Sequence, residues 1–214
     1  MKVSRIMTCK PFTVNLDTPF SDALSLMRKE TISRLPVLDS HNHLVGIVSE
    51  KDLLYTSPSP ATSLNIYEMT ALLAKLTIEK VMKKNVITVL EETPIENAVR
   101  LMVDNDIGGL PVMRDKALVG IVTETDVLNM FIELFGTRKK GVQITMIIPD
   151  IVGELANVTT VIYKAGGKII SLGTFLGETV ENVLVTIKVQ NVSKEDLLVV
   201  LKPLIEKITD VRDV

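Results

Sequence analysis

Two heptapeptides hold the side chains best placed to do chemistry: Gly46-Ile47-Val48-Ser49-Glu50-Lys51-Asp52 and Gly120-Ile121-Val122-Thr123-Glu124-Thr125-Asp126. In each, an apolar strand-like run ends at a hydroxyl residue, and an aspartate follows three positions later. A glycine at the head of the run lets a backbone come close to something. The hydroxyl sits where a strand becomes a helix, so its oxygen and the first free N–H groups point at one spot. Helix N-termini carry partial positive charge and attract phosphate. An aspartate one turn later can accept hydrogen bonds from both hydroxyls of a ribose. One reading of the second heptapeptide is therefore a nucleoside-monophosphate pocket, with phosphate on Thr123 and ribose on Asp126. The same spacing is also an ordinary capping box, which satisfies orphan N–H groups at a helix start. The two readings are compatible, because a phosphate can take over the cap's donors.

The elements that position these groups come as a duplication. Met7 aligns with Met82, Thr13-Val14 with Thr88-Val89, Thr18-Pro19 with Thr93-Pro94, and Leu35-Pro36-Val37 with Leu110-Pro111-Val112, all at one constant offset. One residue is lost in the polar turn SHNH, after which Gly46 and Asp52 meet Gly120 and Asp126. Each copy opens with a short β-favouring run, FTV or ITV. A helix follows, with Thr18 as N-cap and Pro19 at its first position, and with Phe20, Ala23, Leu24 and Met27 on one face. The second copy repeats this with Ile95, Ala98, Val99 and Met102, and Thr93 with Glu96 reads as a capping box. Two short strands, RLPVLD and LVGIVS or GLPVMR and LVGIVT, surround a polar turn. A second helix starts at Ser49 or Thr123, and in copy two it runs to Gly136 as its stop. The unit is β-α-β-β-α, too small to bury both faces of its sheet alone, so two copies are expected to pack as a pair. Between them YTSPSPATS is turn-rich and LNIYEMTALLAKL has helical spacing.

After Gly136 a short basic connector, TRKKG, leads to a third unit. VQITMIIP is a strand, and the following helix places Val152, Leu155, Thr159 and Ile162 at helical spacing before Gly166-Gly167. KIISLGTF and VENVLVTIKV are two strands, with Val183, Val185, Ile187 and Val189 alternating. A last helix opens on a Ser193–Asp196 capping box and is kinked or ended by Pro203, and DVRDV closes as an edge strand. The order β-α-β-β-α-β is that of a ferredoxin-like fold. The fold class is thus α+β, in segments 1–57 (first repeat), 58–77 (helical insert), 78–137 (second repeat), 138–141 (connector) and 142–214 (third unit).

Composition narrows the function. Over 214 residues, 46% are hydrophobic and 23% charged, with a formal net charge of -2. Packed cores are expected, and no general attraction to nucleic acid or an anionic membrane. A single cysteine, Cys9, rules out an intrachain disulfide framework and fits a cytoplasmic protein. No signal peptide or apolar membrane span is evident.

In both copies, the TVxxxTPxxxA starts, the IxxLPV strands and the GIV[ST]xxD endings resemble a pair of cystathionine-β-synthase (CBS) domains, a Bateman module, over residues 3–135. That resemblance implies an adenosine ligand: AMP, ADP, ATP, NAD or S-adenosylmethionine. It implies phosphate on Ser49 and Thr123 and ribose on Asp52 and Asp126. It also implies adenine among Phe12, Thr13 and the Leu35-Pro36 turn in site one, and among Ile87, Thr88 and the Leu110-Pro111 turn in site two. Copy one adds Arg34 and Lys51 where copy two has Gly109 and Thr125, and both place a glutamate, Glu50 or Glu124, after the hydroxyl. Site one is therefore expected to take phosphate-rich ligands, and site two AMP or a ligand without phosphate. Residues 142–214 resemble an ACT domain, whose ligand turn falls on Asp150 and Gly153; that implies either an amino-acid site or a structural dimerisation unit. Gly153 also admits a reading in which it merely allows close helix–strand packing. The order CBS pair then ACT resembles bacterial acetoin-utilisation accessory proteins.

Other constellations carry less. His41 and His43 lack a third metal donor fixed by sequence, and Cys9 lacks a sequence-defined base. Arg138-Lys139-Lys140 reads first as a solvated connector. The expectation is a non-enzymatic sensor that needs no cofactor, is regulated by a small-molecule effector, forms a homodimer and acts on a protein target. The alternative is a structural interaction module with empty sites.

Overall fold

The computed structural model describes residues 1–56 and 76–214. The insert and its expected helix lie outside the described residues apart from their last positions. The chain divides into two compact units, Met1–Val127 and Leu128–Val214.

Both repeats follow the order strand, helix, two strands, helix, and copy one adds a leading strand. β1 (Thr8–Cys9) precedes β2 (Val14–Asn15), α1 (Phe20–Glu30), β3 (Arg34–Leu38), β4 (Leu44–Ser49) and α2 (Glu50–Thr56). α3 (Ile78–Val81) then leads into β5 (Val89–Leu90), α4 (Ile95–Asp104), β6 (Gly109–Arg114), β7 (Ala117–Thr123) and α5 (Glu124–Leu134). One sheet has the order β2-β3-β4 and the other β1-β7-β6-β5. Val14, Phe20, Ala23, Met27, Leu35, Val37 and Val48 are buried, as are their counterparts Val89, Ile95, Ala98, Met102, Leu110, Val112 and Val122. The apolar stripe of each first helix thus packs onto its own sheet.

The helix starts differ from expectation by one residue. Both helices begin after the proline, and neither N-cap has a side-chain hydrogen bond. Thr18 Oγ1 accepts from Asn15 N–H at 3.0 Å, and Thr93 Oγ1 from Leu90 N–H at 3.1 Å. These threonines close the turn after the short strand instead of capping the helix, so the Thr93–Glu96 capping box is not formed.

The repeats exchange their leading segments. Val3 N–H bonds to Thr93 O and Ile95 N–H to Met1 O, while Ile78 N–H bonds to Thr18 O and Phe20 N–H to Leu76 O, all at 2.9–3.0 Å. Val3 and Ile78 are fully buried by this crossing. β1 pairs with β7 of the other repeat, and Lys83 bridges Ile47. Gly46 and Gly120 are explained here. A Cβ at Gly120 would lie 2.6 Å from Met7 Sδ and 3.0 Å from Thr8 O. One at Gly46 would collide with the equivalent Met82 sulfur and lie 3.2 Å from Lys83 O. The backbone that comes close is the protein's own.

The second unit contains β8 (Val142–Pro149), α6 (Glu154–Lys164), β9 (Lys168–Leu176), β10 (Asn182–Gln190), α7 (Lys194–Leu201) and β11 (Lys207–Asp213). The strands form one antiparallel sheet in the order β11-β8-β10-β9. Ile144, Met146, Ile148, Val185, Ile187 and Val189 form its core with Val158, Ile162, Leu197 and Leu201 from α6 and α7. The buried stripe of α6 is Glu154, Val158 and Ile162. This corrects the expected face, because Val152 and Leu155 are exposed and only Ile162 of that set is buried. The reason is the helix phase: it starts two residues after Val152, with Gly153 at φ +94° as N-cap. Ser193 Oγ accepts from Asp196 N–H at 3.1 Å, and α7 gives way at Pro203 to a 3-10 turn.

The opposite face of β10 is also covered. Thr186 is 8% exposed and Lys188 2%. Lys188 Nζ donates to Gly136 O at 2.9 Å, and Ser171 Oγ donates to Phe135 O at 3.2 Å. Gly136 itself ends α5 with φ +55°, Thr137 N–H reaching back to Ile132 O. The strand's polar alternation therefore serves a fastening to Phe135 and Gly136 of the same unit, not solvent.

Candidate functional site

Both hydroxyl-x-x-aspartate motifs stand at the turn from a strand into a helix, β4 into α2 and β7 into α5. In copy two, Asp126 Oδ2 accepts from Thr123 N–H and Thr123 Oγ1, each at 2.8 Å, and Thr123 Oγ1 accepts in turn from Asp126 N–H at 3.4 Å. In copy one, Asp52 Oδ2 accepts from Ser49 N–H at 3.0 Å and from its hydroxyl, and Asp52 N–H donates to Ser49 Oγ at 3.2 Å. The capping box is thus formed twice, and it occupies one carboxylate oxygen of each aspartate.

The other oxygen distinguishes the copies. Asp52 Oδ1 lies 3.5 Å from Lys83 Nζ. Among the described residues no hydrogen bond or ion pair reaches Asp126 Oδ1. Burial pushes the Asp52 pKa up, but the hydrogen bonds from Ser49 and the Lys83 charge outweigh it and hold the carboxyl below its ordinary 3.8.

Each motif lines its own cavity. The larger, about 590 Å³, is walled by Ser49, Glu50, Lys51, Asp52 and Tyr55 of copy one with Asp106, Ile107, Gly108, Gly109, Glu124 and Lys83 of copy two. The smaller, about 270 Å³, is walled by Thr123, Thr125, Asp126 and Ile121 of copy two with Thr8, Pro11, Phe12, Thr31 and Ile32 of copy one. Ser33 and Arg34 line both.

This placement departs from the grouping expected within each copy. Phe12 stands with Asp126, not with Asp52, and Gly109 stands with Asp52, not with Asp126. The exchange of leading segments is the cause: it carries residues 8–12 onto the sheet of copy two and Lys83 onto that of copy one. Thr13, Ile87 and Thr88 are exposed and line neither cavity. Leu35-Pro36 and Leu110-Pro111 are not turns. They lie inside β3 and β6, buried, and the cavities are lined instead by the residues just before them. Thr31, Asp106, Gly108 and Lys83 have no site role in the sequence reading, and Ile32 and Ile107 have only their place in the IxxLPV strands. A signal was present in the paired positions Thr31 and Asp106, polar residues at a helix end, which adopt φ +54° and +51°.

The cavities differ in charge. Arg34, Lys51 and Lys83 face the larger one, as do Glu50, Asp52, Asp106 and Glu124. Lys51 Nζ stands 5.7 Å from the Tyr55 ring centroid, in cation–π range. Among the described residues, the smaller cavity has Arg34 and Asp126 alone as charged lining.

In the second unit, Asp150 is exposed and its N–H donates to Glu181 O at 2.8 Å. A Cβ on Gly153 would meet nothing within 4 Å, so close helix–strand packing does not account for this glycine; its left-handed φ does. His41 N–H and His43 N–H both donate to Asp39 Oδ1 at 2.8 Å, which makes the SHNH segment a side-chain-capped turn.

Residues 3–58 and 78–133 each match the family model of the CBS domain. Among solved structures, the CBS domain pair of protein MJ0100, in complex with 5'-methylthioadenosine and S-adenosyl-L-methionine, is 30% identical at a TM-score of 0.52, covering 65% of this chain and 98% of its own. A Vibrio cholerae protein assigned to acetoin utilization (AcuB) is 30% identical at a TM-score of 0.54, covering 64% and 95%. CBSX2 in complex with AMP is 28% identical at a TM-score of 0.51, covering 64% and 98%.

Proposed function

The chain belongs to the CBS-domain family, and on that premise we propose that it is a non-enzymatic regulatory sensor whose paired repeats bind an adenosine-containing ligand. The observation that carries this reading is the free Oδ1 of Asp126, beside Thr123, at the wall of a cavity that also holds Phe12 and Arg34. The cap consumes one carboxylate oxygen and leaves the other for ribose, Phe12 offers a ring for adenine, and Arg34 offers its fork to phosphate. The similar pairs that hold AMP or S-adenosylmethionine support the ligand class. The larger cavity is assigned a phosphate-rich ligand such as ADP, ATP or NAD on its volume and on Arg34, Lys51 and Lys83, which stand there among four carboxylates; the smaller is assigned AMP or a ligand without phosphate.

The second unit reads as a ferredoxin-like ACT domain. Its order β-α-β-β-α-β and antiparallel sheet support that, and its role is dimerisation or amino-acid binding at the Asp150–Gly153 turn. The division 1–57, 78–137 and 142–214 follows from the same reading, as does a cytoplasmic setting with a protein target. Among the described residues, no helix is long and apolar enough to cross a membrane.

Thermal unfolding of ligand-free protein with AMP, ADP, ATP, NAD or S-adenosylmethionine tests the sensor. Ligand at about 100 times its Kd adds roughly 2.7 kcal/mol, a shift of several degrees. The shift should fall in Asp126→Ala or Asp52→Ala. A second reading, an interaction module with empty sites, is favoured by the two completed capping boxes. It predicts no shift with any of the five ligands, and unaltered activity in the cell for both variants.

A further inference from the structure

Ser33-Arg34 of copy one occupies the same repeat positions as Gly108-Gly109 of copy two, so of two equivalent places only one carries a side chain. The structure shows what that asymmetry does. A Cβ on Gly108 would collide with Arg34 Nη2 and with Glu124 Oε2, and one on Gly109 would lie 3.1 Å from Arg34 Cδ. Arg34 extends across the bare backbone of the other repeat. Two arginines facing each other here would compete for the same room.

Arg34 thereby becomes a wall common to both cavities. Among the described residues it is the sole cation lining the smaller one. In the larger one the other two cations have claims on them already, Lys51 from the Tyr55 ring and Lys83 from Asp52. The only hydrogen bond of the Arg34 guanidinium among the described residues goes to Ser33 Oγ, at 3.2 Å. Glu124 Oε2 stands beside its Nη2 at Gly108 without forming an ion pair, so most of its five donors are uncommitted, and a guanidinium presents them as one planar fork that matches one phosphate at a time.

Resting on the adenosine reading above, we propose that Arg34 is a shared phosphate-recognising residue, and that the two cavities compete for it. A phosphate bound in the larger cavity draws the guanidinium and leaves the smaller without a cation; linkage requires the reverse effect to be equal. Two phosphorylated ligands then bind with negative coupling. A ligand without phosphate makes no claim on Arg34 and binds each cavity independently.

The test is calorimetric titration of ligand-free full-length protein with AMP and, separately, with adenosine. Asp52→Ala and Asp126→Ala give the affinity of each remaining cavity alone. Expected for the wild type is a second AMP bound about ten-fold more weakly than those single-cavity values require, within the usual range of coupling between sites. Adenosine shows no such gap. Arg34→Gln weakens AMP and abolishes the gap, with its urea midpoint and far-UV spectrum reporting an intact fold; Arg34→Lys, which keeps the charge but not the fork, reduces the gap. Independent or mutually reinforcing AMP binding in the wild type overturns the coupling while leaving the adenosine reading standing. Absence of binding by both AMP and adenosine overturns the adenosine reading and the coupling with it.

Discussion

Lys83 Nζ lies 3.5 Å from Asp52 Oδ1, and the two residues belong to different repeats. The pair exists because each repeat lends its leading segment to its twin: Lys83 follows α3, whose first residues hydrogen-bond to Leu16 and Thr18 of copy one. Asp52 is consequently bound on both oxygens, to the cap through one and to a cation through the other. Asp126 is bound on one. Two motifs almost identical in sequence are thus poised differently.

Asp52 should make stability depend on pH. Its carboxyl is held below its ordinary value in the folded state, so its contribution is present above the unfolded pKa of about 3.9 and is lost as pH falls through the lower folded pKa. Asp52→Asn should cost about 1 kcal/mol at pH 7, the usual value of a cap, and the difference from wild type should shrink to nothing under acid. Urea midpoints of both proteins at pH 7 and near pH 3 check this; a gap that persists in acid would contradict it.

Lys83→Met should release Asp52 Oδ1 for a ribose. In an Asp126→Ala background, which leaves the larger cavity alone, adenosine should bind up to about five-fold more tightly, the worth of an exposed ion pair. Titration with adenosine measures it. Weaker binding would mean that Lys83 assists the ligand rather than competing with it.

Gly120→Ala should destabilise the first unit by about 1–3 kcal/mol, as overpacking does, because its Cβ would lie 3.0 Å from the Thr8 backbone oxygen. Shortening the side chain at Met7 removes the Sδ and Cγ contacts but leaves the Thr8 oxygen in place, so Met7→Ala should rescue only part of the loss. Denaturant unfolding of the single and double variants decides between backbone and side-chain collision.

Lys188→Ala should destabilise the second unit by about 1.5 kcal/mol, since it removes the charged donor to buried Gly136 O and leaves that oxygen with the Lys139 N–H alone. A full-length Lys188→Arg variant cannot restore the bond in the same space and should recover little. Differential scanning calorimetry of both variants provides the measurement, with an unchanged second-unit transition as the contrary result.

Local chemistry was legible in the residues alone. The repeat, the apolar stripes of α1 and α4, the capping boxes at Ser49, Thr123 and Ser193, the stop at Gly136 and the break at Pro203 all depend on neighbours a few positions apart, and spacing encodes such interactions directly. Which residues share a cavity was not legible. Leu35-Pro36 reads as a turn by its proline but is paired into the centre of a sheet, and Phe12 reads as a neighbour of Asp52 by its place in the repeat but crosses to Asp126. Burial of Val3 and Ile78 favours exchanging the leading segments over folding them back, and no local spacing records that preference. Lys188, charged and at an alternate strand position, reads as solvent-facing until the end of α5 covers it. Spacing along the chain sets the parts and their local geometry; how the two repeats share them is set only in the fold, because that depends on the surface each segment buries against a partner distant in the chain.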